Sequence, residues 1–199
     1  EREARYQEAR REEGRVMTIF TEEDWEAAEL VNDPTVFEFI PAPSPQGIRL
    51  LPLLEELKIL TKDRTTARLG DVMNYAQRDF IAEVERQINE QGAVRIIVLK
   101  ARQLGISTII EGIIFTLSIM YESYQSLIIS HESESSEHIL TMTKRYWNTY
   151  PFKRFHNEQY NGRKQLAWSD LQSNIVIATA KNTGAGRSKT LHALHGSEV

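Results

Sequence analysis

The chain has 199 residues, a formal net charge of −4, and a composition of 41% hydrophobic and 26% charged residues. This composition predicts a folded protein, and the length suits one well-cored domain with an extension. Cysteine is absent, which excludes disulfides and cysteine-ligated metals within these residues. No apolar run approaches the roughly 20 residues of a membrane helix, and the first residues are mostly charged, so we expect neither a membrane span nor a secretory signal.

The first part of the chain predicts an extension. Residues 1–30 alternate Glu and Arg, a pattern typical of a solvated helix with ion pairs or of a frayed tail. Residues 41–45 contain three prolines, which cannot continue a helix or a central strand, so we place a linker there. We expect an N-terminal helical extension and linker over residues 1–68 and one folded domain over residues 69–199.

The next segment predicts a helix, a strand and a loop. Asp71 is a plausible N-cap, apolar residues recur every four positions from Val72 to Ile88, and Gly92 offers a stop. Residues 94–99 are rich in β-branched side chains and predict a buried strand. This strand runs directly into residues 100–108, and a helix is expected from Ser107 to about Tyr121.

The remaining pattern alternates strands with helices. Strands are predicted at 127–129, 165–168, 174–178 and 191–194, and a helix with an apolar stripe from Ile139 to Trp147 ends at Pro151. Such alternation predicts an α/β fold with a mostly parallel sheet flanked by helices. Positive charge is concentrated between residues 141 and 190, where the only carboxylates are Glu158 and Asp170.

Residues 100–108, Lys-Ala-Arg-Gln-Leu-Gly-Ile-Ser-Thr, fit a phosphate-binding loop with two departures. In the usual pattern G-x-x-x-x-G-K-[ST], backbone amides and a lysine hold the phosphates and a hydroxyl contacts Mg²⁺. Gly105 and Ser107 match, whereas Ile106 stands at the lysine position and Lys100 at the first glycine. A loop that wraps around a phosphate brings its ends together, so Lys100 can supply the missing ammonium. The alternative is an ordinary strand end and turn.

This loop resembles the deviant Walker A motif of the large terminases of tailed bacteriophages, in which the lysine begins the motif. The resemblance extends over residues 69–199 and includes Tyr75-Ala76-Gln77, the strand end at 128–131 and the helix at 135–139. It implies a P-loop NTPase of the ASCE type that binds ATP and Mg²⁺. The nucleotide-contacting residues that it implies are Lys100, Ala101, Arg102, Gln103, Leu104, Gly105, Ile106, Ser107, Thr108, Tyr75 and Gln77.

The resemblance also implies a catalytic strand end. Residues 191–198 resemble the terminase variant of Walker B, with Ser-Glu in place of Asp-Glu, so Glu198 would be the catalytic glutamate. Ser197 and Ser107 would lie on the Mg²⁺ side. Arg187, in a glycine-containing loop, would act as an arginine finger that neutralises charge on the γ-phosphate, or it would face DNA or solvent.

Two further roles are left open by the sequence. Gln77 and Tyr75 match a glutamine-plus-aromatic pair that reads adenine, although Tyr75 suits a core position equally well. Arg102 would contact the γ-phosphate or brace the loop. The histidine pairs lack a third ligand at zinc spacing, so we interpret them as structural.

The function implied is the ATPase part of a phage DNA-packaging motor. Its partners would be double-stranded DNA, the portal protein and the small terminase subunit, in a homo-oligomeric ring docked on the procapsid portal in the host cytoplasm. The chain begins with Glu1 and ends at Val199, which we interpret as a fragment without the family's C-terminal nuclease. The alternatives are a helicase-like DNA translocase and a nucleotide-binding module without turnover.

Overall fold

A computed structural model describes residues 47–98, 104–182 and 190–197, so the predicted N-terminal helix and proline linker lie outside the described residues. The helices are α1 (Leu51–Glu55), α2 (Leu69–Val72), α3 (Tyr75–Gln91), α4 (Ile106–Met120) and α5 (Ser133–Thr149). The strands are β1 (Lys58–Leu60), β2 (Thr66–Arg68), β3 (Gln125–Ser130), β4 (Glu158–Gly162), β5 (Gln165–Trp168), β6 (Ser173–Thr179) and β7 (Ala193–Ser197). A short 3₁₀ turn, Lys153–Phe155, precedes β4.

The main sheet has five strands in the order β4-β5-β6-β3-β7, and β1 pairs with β2 in a separate hairpin. The predicted α/β class is confirmed, but the sheet is mixed. Strand β3 runs parallel to β6 and β7, whereas β5 is antiparallel to both of its neighbours. Strands β4, β5 and β6 follow one another through short turns, and such turns can join only antiparallel strands. The expectation of a mostly parallel sheet is therefore only partly right.

Strand β3 lies next to the central strand β6 and pairs with both β6 and β7. Its side chains Leu127 and Ile128 are buried. The helix that precedes it, α4, is apolar nearly all round and is buried along most of its length. A helix that is hydrophobic on every side requires cover on every side. Helix α4 obtains this cover from the sheet, from α5 and from α1.

Helix α3 starts three residues later than the sequence suggested. Asp71 lies in the short helix α2, and the N-cap of α3 is Asn74. The Asn74 side chain accepts from the backbone of Gln77, and the Gln77 side chain accepts from the backbone of Asn74, forming a capping box. This reciprocal pair satisfies two amides, which a cap at Asp71 would not do. Gly92 ends the helix in the left-handed conformation (φ 68°), as predicted.

Residues before position 69 contribute to the core. Ile48, Leu50, Leu53, Leu54 and Leu57 belong to the same buried apolar cluster as α4 and α5. Helix α1 packs against α4 at Gly112, where an added Cβ would lie 3.0 Å from the Cδ2 atom of Leu54. The described part of the predicted extension, residues 47–68, is thus packed on the domain.

Two strand predictions need correction. Residues 94–98 form no strand, and Ile97 is 93% exposed. A β-branched run becomes a strand only beside a partner with free backbone groups, and no described strand pairs with this segment. Further on, the strand expected at 191–194 is β7, Ala193–Ser197. Its pairing with β3 matches Ser126 to Ala193 and Ser130 to Ser197, and this register sets its ends.

Candidate functional site

The described part of the predicted phosphate loop is its C-terminal end. Gly105 has a φ of 70° and immediately precedes α4 as its N-cap. This left-handed conformation favours glycine, because a side chain there is strained. The first four residues of the loop, Lys100, Ala101, Arg102 and Gln103, lie outside the described residues.

Two side chains at the start of α3 hold this loop end. The Nδ2 atom of Asn74 donates to the carbonyl of Leu104 at 3.1 Å, and the Nε2 atom of Gln77 donates to the carbonyl of Gly105 at 3.0 Å. Gln77 is 94% buried, since its relative exposure is 6%. Its Oε1 atom accepts from the Asn74 backbone at 2.9 Å. Both ends of the Gln77 amide are therefore engaged within the protein.

The first turn of α4 carries the residues predicted to meet phosphate and Mg²⁺. No side chain among the described residues caps this helix. Its first backbone N–H groups therefore have no side-chain acceptor within the described residues. Ile106, at the position of the standard lysine, is buried with 4% exposure. Ser107 and Thr108 are half-buried. The Thr108 carbonyl accepts from the Tyr146 hydroxyl at 2.9 Å, which ties this turn to α5.

Helix α4 runs opposite to β3 and β7. Near its C-terminal end, the Ser118 hydroxyl lies 3.4 Å from the Ser126 hydroxyl at the start of β3. In its first half, Glu111 contacts His195, towards the end of β7. The N-terminus of α4 therefore lies at the sheet edge where β3 and β7 end. This edge is where parallel α/β sheets place their ligands.

A buried polar cluster joins α4, α5 and β7. Glu111 has 0% exposure, and its Oε1 atom lies 2.6 Å from the Nδ1 atom of His195. The Oε2 atom accepts from the Thr143 hydroxyl at 2.8 Å. Tyr146 lies close by, and burial, reinforced by the charge of Glu111, raises the pKa of its phenol. The cluster satisfies both oxygens of a carboxylate that has no access to solvent.

A second cluster lies at the end of β3. The hydroxyls of Ser130 and Ser136 lie within hydrogen-bonding distance of each other. The Ser136 hydroxyl also lies 2.9 Å from the carbonyl oxygen of Ala178, and the Ser130 hydroxyl lies 2.7 Å from that of Glu132, so two hydroxyl hydrogens are distributed over three contacts. These bonds fix the start of α5 against the ends of β3 and β6. Ser130 is the register partner of Ser197, so this cluster borders the predicted catalytic strand end.

The remaining predicted site residues are placed as follows. Ser197 is half-buried at the last position of β7. Tyr75, at the first position of α3, is 79% exposed, so it is not a core residue. Glu198 and Arg187 lie outside the described residues. The structure thus brings Gln77 against the loop end and leaves the roles of Glu198, Arg187 and Lys100 as predictions.

The described residues contain neither a cluster of metal ligands nor a membrane-spanning helix. Over residues 47–98, 104–182 and 190–197, no group of three or more His, Asp or Glu side chains could hold a metal ion. His192 accepts from the Gln125 backbone and stacks on Tyr124, while His195 contacts Glu111. None of the helices in the described ranges is long and apolar enough to cross a membrane.

Three participants were missed by sequence reasoning. Asn74 had a readable signal, because Asn-x-x-Gln is the spacing of a capping box. Glu111 was also conspicuous, since it is the only carboxylate within the apolar sequence of α4. Thr143 carried no signal, because a threonine on a helix gives no indication of its partner on another helix.

Comparison with known proteins identifies no family for this chain, so a functional assignment depends on its residues and their arrangement. No protein-family model matches the chain, and no curated protein matches its sequence significantly.

Proposed function

We propose that this chain is the ATPase part of a DNA-packaging motor of the terminase type, with a P-loop NTPase fold that binds ATP and Mg²⁺. The observation that carries the proposal is the start of α4 behind the left-handed Gly105, which no side chain of the described residues caps, at the sheet edge where β7 ends in Ser197. Free amides at a helix N-terminus suit an anion such as a phosphate. The resemblance of residues 100–108 to a terminase phosphate loop supplies the class of protein.

The side chains at this sheet edge are of the types that would bind Mg²⁺ and ATP phosphates. The hydroxyl of Ser107 lies in the first turn of α4, where a phosphate loop places its Mg²⁺ ligand, and Ser197 would act on the same ion through water. Ile106 is a buried apolar side chain, so this position supplies no cation to the phosphates. Lys100 would supply it instead. The isoleucine at this position favours the terminase type over a helicase-like translocase, in which a lysine precedes the hydroxyl residue.

In this proposal, ATP hydrolysis depends on Mg²⁺, the amides of α4 and three side chains. Mg²⁺ neutralises charge on the β- and γ-phosphates when it is bound. Lys100 and the amides of α4 would hold the phosphates, Glu198 would orient and polarise the attacking water, and Arg187 would neutralise charge on the γ-phosphate from its own or a neighbouring subunit. Binding the phosphates and positioning the water supply most of the acceleration in such reactions.

The partners rest on the resemblance and on the charge of residues 141–190. Duplex DNA, a portal protein, a small terminase subunit and a ring of copies are all part of the proposal. Several basic side chains of this region are engaged locally: Arg163 donates to Glu137 at 2.8 Å, and Lys153 lies 3.5 Å from Glu158. Stimulation of hydrolysis by duplex DNA, weakening as salt rises, would support the motor role.

The test measures ATP hydrolysis by the chain with Mg²⁺, alongside Lys100→Ala and Glu198→Gln. Each variant is expected to lower kcat by about 10²-fold or more. The matched controls are Lys62→Ala, in the turn between β1 and β2, and Glu90→Gln, near the end of α3, which should retain wild-type rates. Hydrolysis by both site variants at the wild-type rate would overturn the site. A chain that binds ATP without turnover would instead support the nucleotide-binding module.

A further inference from the structure

Glu111 is a carboxylate within the apolar helix α4, and it has no role in the proposed ATP hydrolysis. It has 0% exposure, and its neighbours along α4 include the buried Ile109, Gly112 and Ile113. An ionised group removed from water costs several kcal/mol unless it is paired and hydrogen-bonded. Buried ion pairs are often no more stabilising than apolar residues of the same size. Its presence therefore calls for an explanation other than stability.

The partners of Glu111 lie on two other elements. Its Oε1 atom lies 2.6 Å from Nδ1 of His195 on β7, and its Oε2 atom accepts from Thr143 on α5 at 2.8 Å. One hydrogen lies between Oε1 of Glu111 and Nδ1 of His195, and the imidazole is the donor when the carboxyl group is ionised. These contacts are directional, unlike the apolar contacts that surround them. Strand β7 pairs only with β3 among the described strands, so it has few other contacts that fix its position.

The spacing along the two elements relates this pair to the proposed site. Ser107 lies one helical turn before Glu111 on the same face of α4, a distance of about 6 Å along the axis. Ser197 lies two residues after His195 on the same face of β7, a distance of about 6.6 Å. Because α4 and β7 run in opposite directions, both steps lead towards the same sheet edge. The contact between Glu111 and His195 thus aligns Ser107 with Ser197.

We propose that Glu111 and His195 are positioning residues that hold the end of β7 against the first turn of α4, so that Ser197 stands beside Ser107. The structural part of this proposal needs no nucleotide. Its catalytic part rests on the proposed function, in which Ser107 and Ser197 help to bind Mg²⁺. Displacement of the end of β7 would therefore weaken Mg²⁺ binding more than ATP binding. Thr143 orients Glu111 from the opposite side by occupying its second oxygen.

The first experiment measures amide hydrogen exchange of residues 193–197 in the full chain without nucleotide. His195→Leu removes the donor and is expected to speed exchange there about tenfold or more, relative to residues 173–179 in β6. His195→Asn retains a donor near the place of Nδ1 and should stay within about threefold of wild type. Glu111→Gln retains the shape and a carbonyl, and a several-fold increase is expected.

The matched control is Ser118→Ala, which removes a buried hydroxyl at the opposite end of α4. It should leave exchange of residues 193–197 unchanged. Equal acceleration by Ser118→Ala and His195→Leu would overturn the proposal, since it would indicate general loosening of α4. Wild-type exchange in both His195→Leu and Glu111→Gln would overturn it as well. Two variants of different severity keep the test valid if the leucine variant folds poorly.

The second experiment measures the Mg²⁺ concentration that half-saturates ATP hydrolysis. In His195→Leu this concentration should rise about tenfold, while KM for ATP at saturating Mg²⁺ changes less than about threefold. An unchanged Mg²⁺ dependence would overturn the catalytic part. If wild type neither binds nor hydrolyses ATP, the proposed function fails, and the exchange experiment still decides whether the Glu111–His195 contact positions β7.

Discussion

The side-chain amide of Gln77 donates to the backbone carbonyl of Gly105 at 3.0 Å, which joins the start of α3 to the end of the predicted phosphate loop. The same side chain closes the capping box with Asn74. A nucleotide that bound at this loop would meet an amide that is already hydrogen-bonded at both ends. Without releasing Gly105 or Asn74, Gln77 could offer adenine only its second amide hydrogen and the second lone pair of Oε1.

Replacement of Gln77 by alanine separates these two roles. If Gln77 only holds the loop, Gln77→Ala should weaken ATP and GTP binding by the same factor and destabilise the fold by about 1–2 kcal/mol. If Gln77 reads adenine, ATP binding should fall further than GTP binding. Dissociation constants for the two nucleotides, with denaturant unfolding, decide between them. Asn74→Asp is the control, because it retains the cap acceptor but loses the donor to Leu104.

Replacement of Tyr75 tests the proposed base contact directly. The ring is 79% exposed, so Tyr75→Ala should change the free energy of unfolding by less than about 0.5 kcal/mol. A ring that stacks on a base contributes about 1–3 kcal/mol, so ATP and GTP affinity should both fall about fivefold or more. The control is Tyr160→Ala, another exposed tyrosine, on β4. Wild-type affinity in the Tyr75 variant would rule out stacking.

Gly105 and Gly92 offer a matched pair of glycine replacements. Their φ angles are 70° and 68°, so alanine should cost about 1 kcal/mol of backbone strain at each position. At Gly105 the new Cβ would also lie 2.5 Å from the Nε2 atom of Gln77, whereas nothing lies within 4 Å at Gly92. Gly105→Ala should therefore be more destabilising than Gly92→Ala by about 1 kcal/mol in urea unfolding. In a Gln77→Ala background this difference should disappear.

Leu54 tests whether residues before position 69 belong to the domain core. It is fully buried on α1, so Leu54→Ala should lower the free energy of unfolding by about 2–5 kcal/mol. Leu60 is 43% exposed, and Leu60→Ala should cost under about 1 kcal/mol. Thermal and urea unfolding of both variants provide the comparison. Equal, small effects would mean that α1 is an appendage on the domain surface.

Asp170 should make the fold sensitive to acid. Burial alone would raise the pKa of this carboxyl, but hydrogen bonds from His156 and the Asn157 backbone outweigh burial and lower the pKa below its usual 3.8. A lowered folded-state pKa gives stability that is present above pH 3.8 and is lost as the pH falls through the folded-state value. Urea unfolding from pH 7 to pH 2 should show this loss, and Asp170→Asn should flatten the profile. Asp63→Asn, in an exposed turn, should leave the profile unchanged.

Sequence patterns were reliable where the signal was local. The stop of α3 at Gly92, the span of α4, and strands β3, β5 and β6 followed from periodicity and from glycine or proline positions. Strand β4 was missed because all five of its residues are exposed and give no alternation. The strand expected at residues 94–99 failed for the opposite reason: its apolar run was clear, but the described residues provide no partner.

The sequence by itself determined the α/β class, the glycine at the start of α4 and the candidate serines at the sheet edge, because these depend on residue type and local spacing. Only the tertiary structure decided that Gln77 is engaged with Gly105, that Tyr75 faces solvent and that Glu111 meets His195. Each of these facts depends on residues far apart in the chain. Periodicity identifies which face of a helix is buried, but the register between α4, α5 and β7 depends on how three elements pack together.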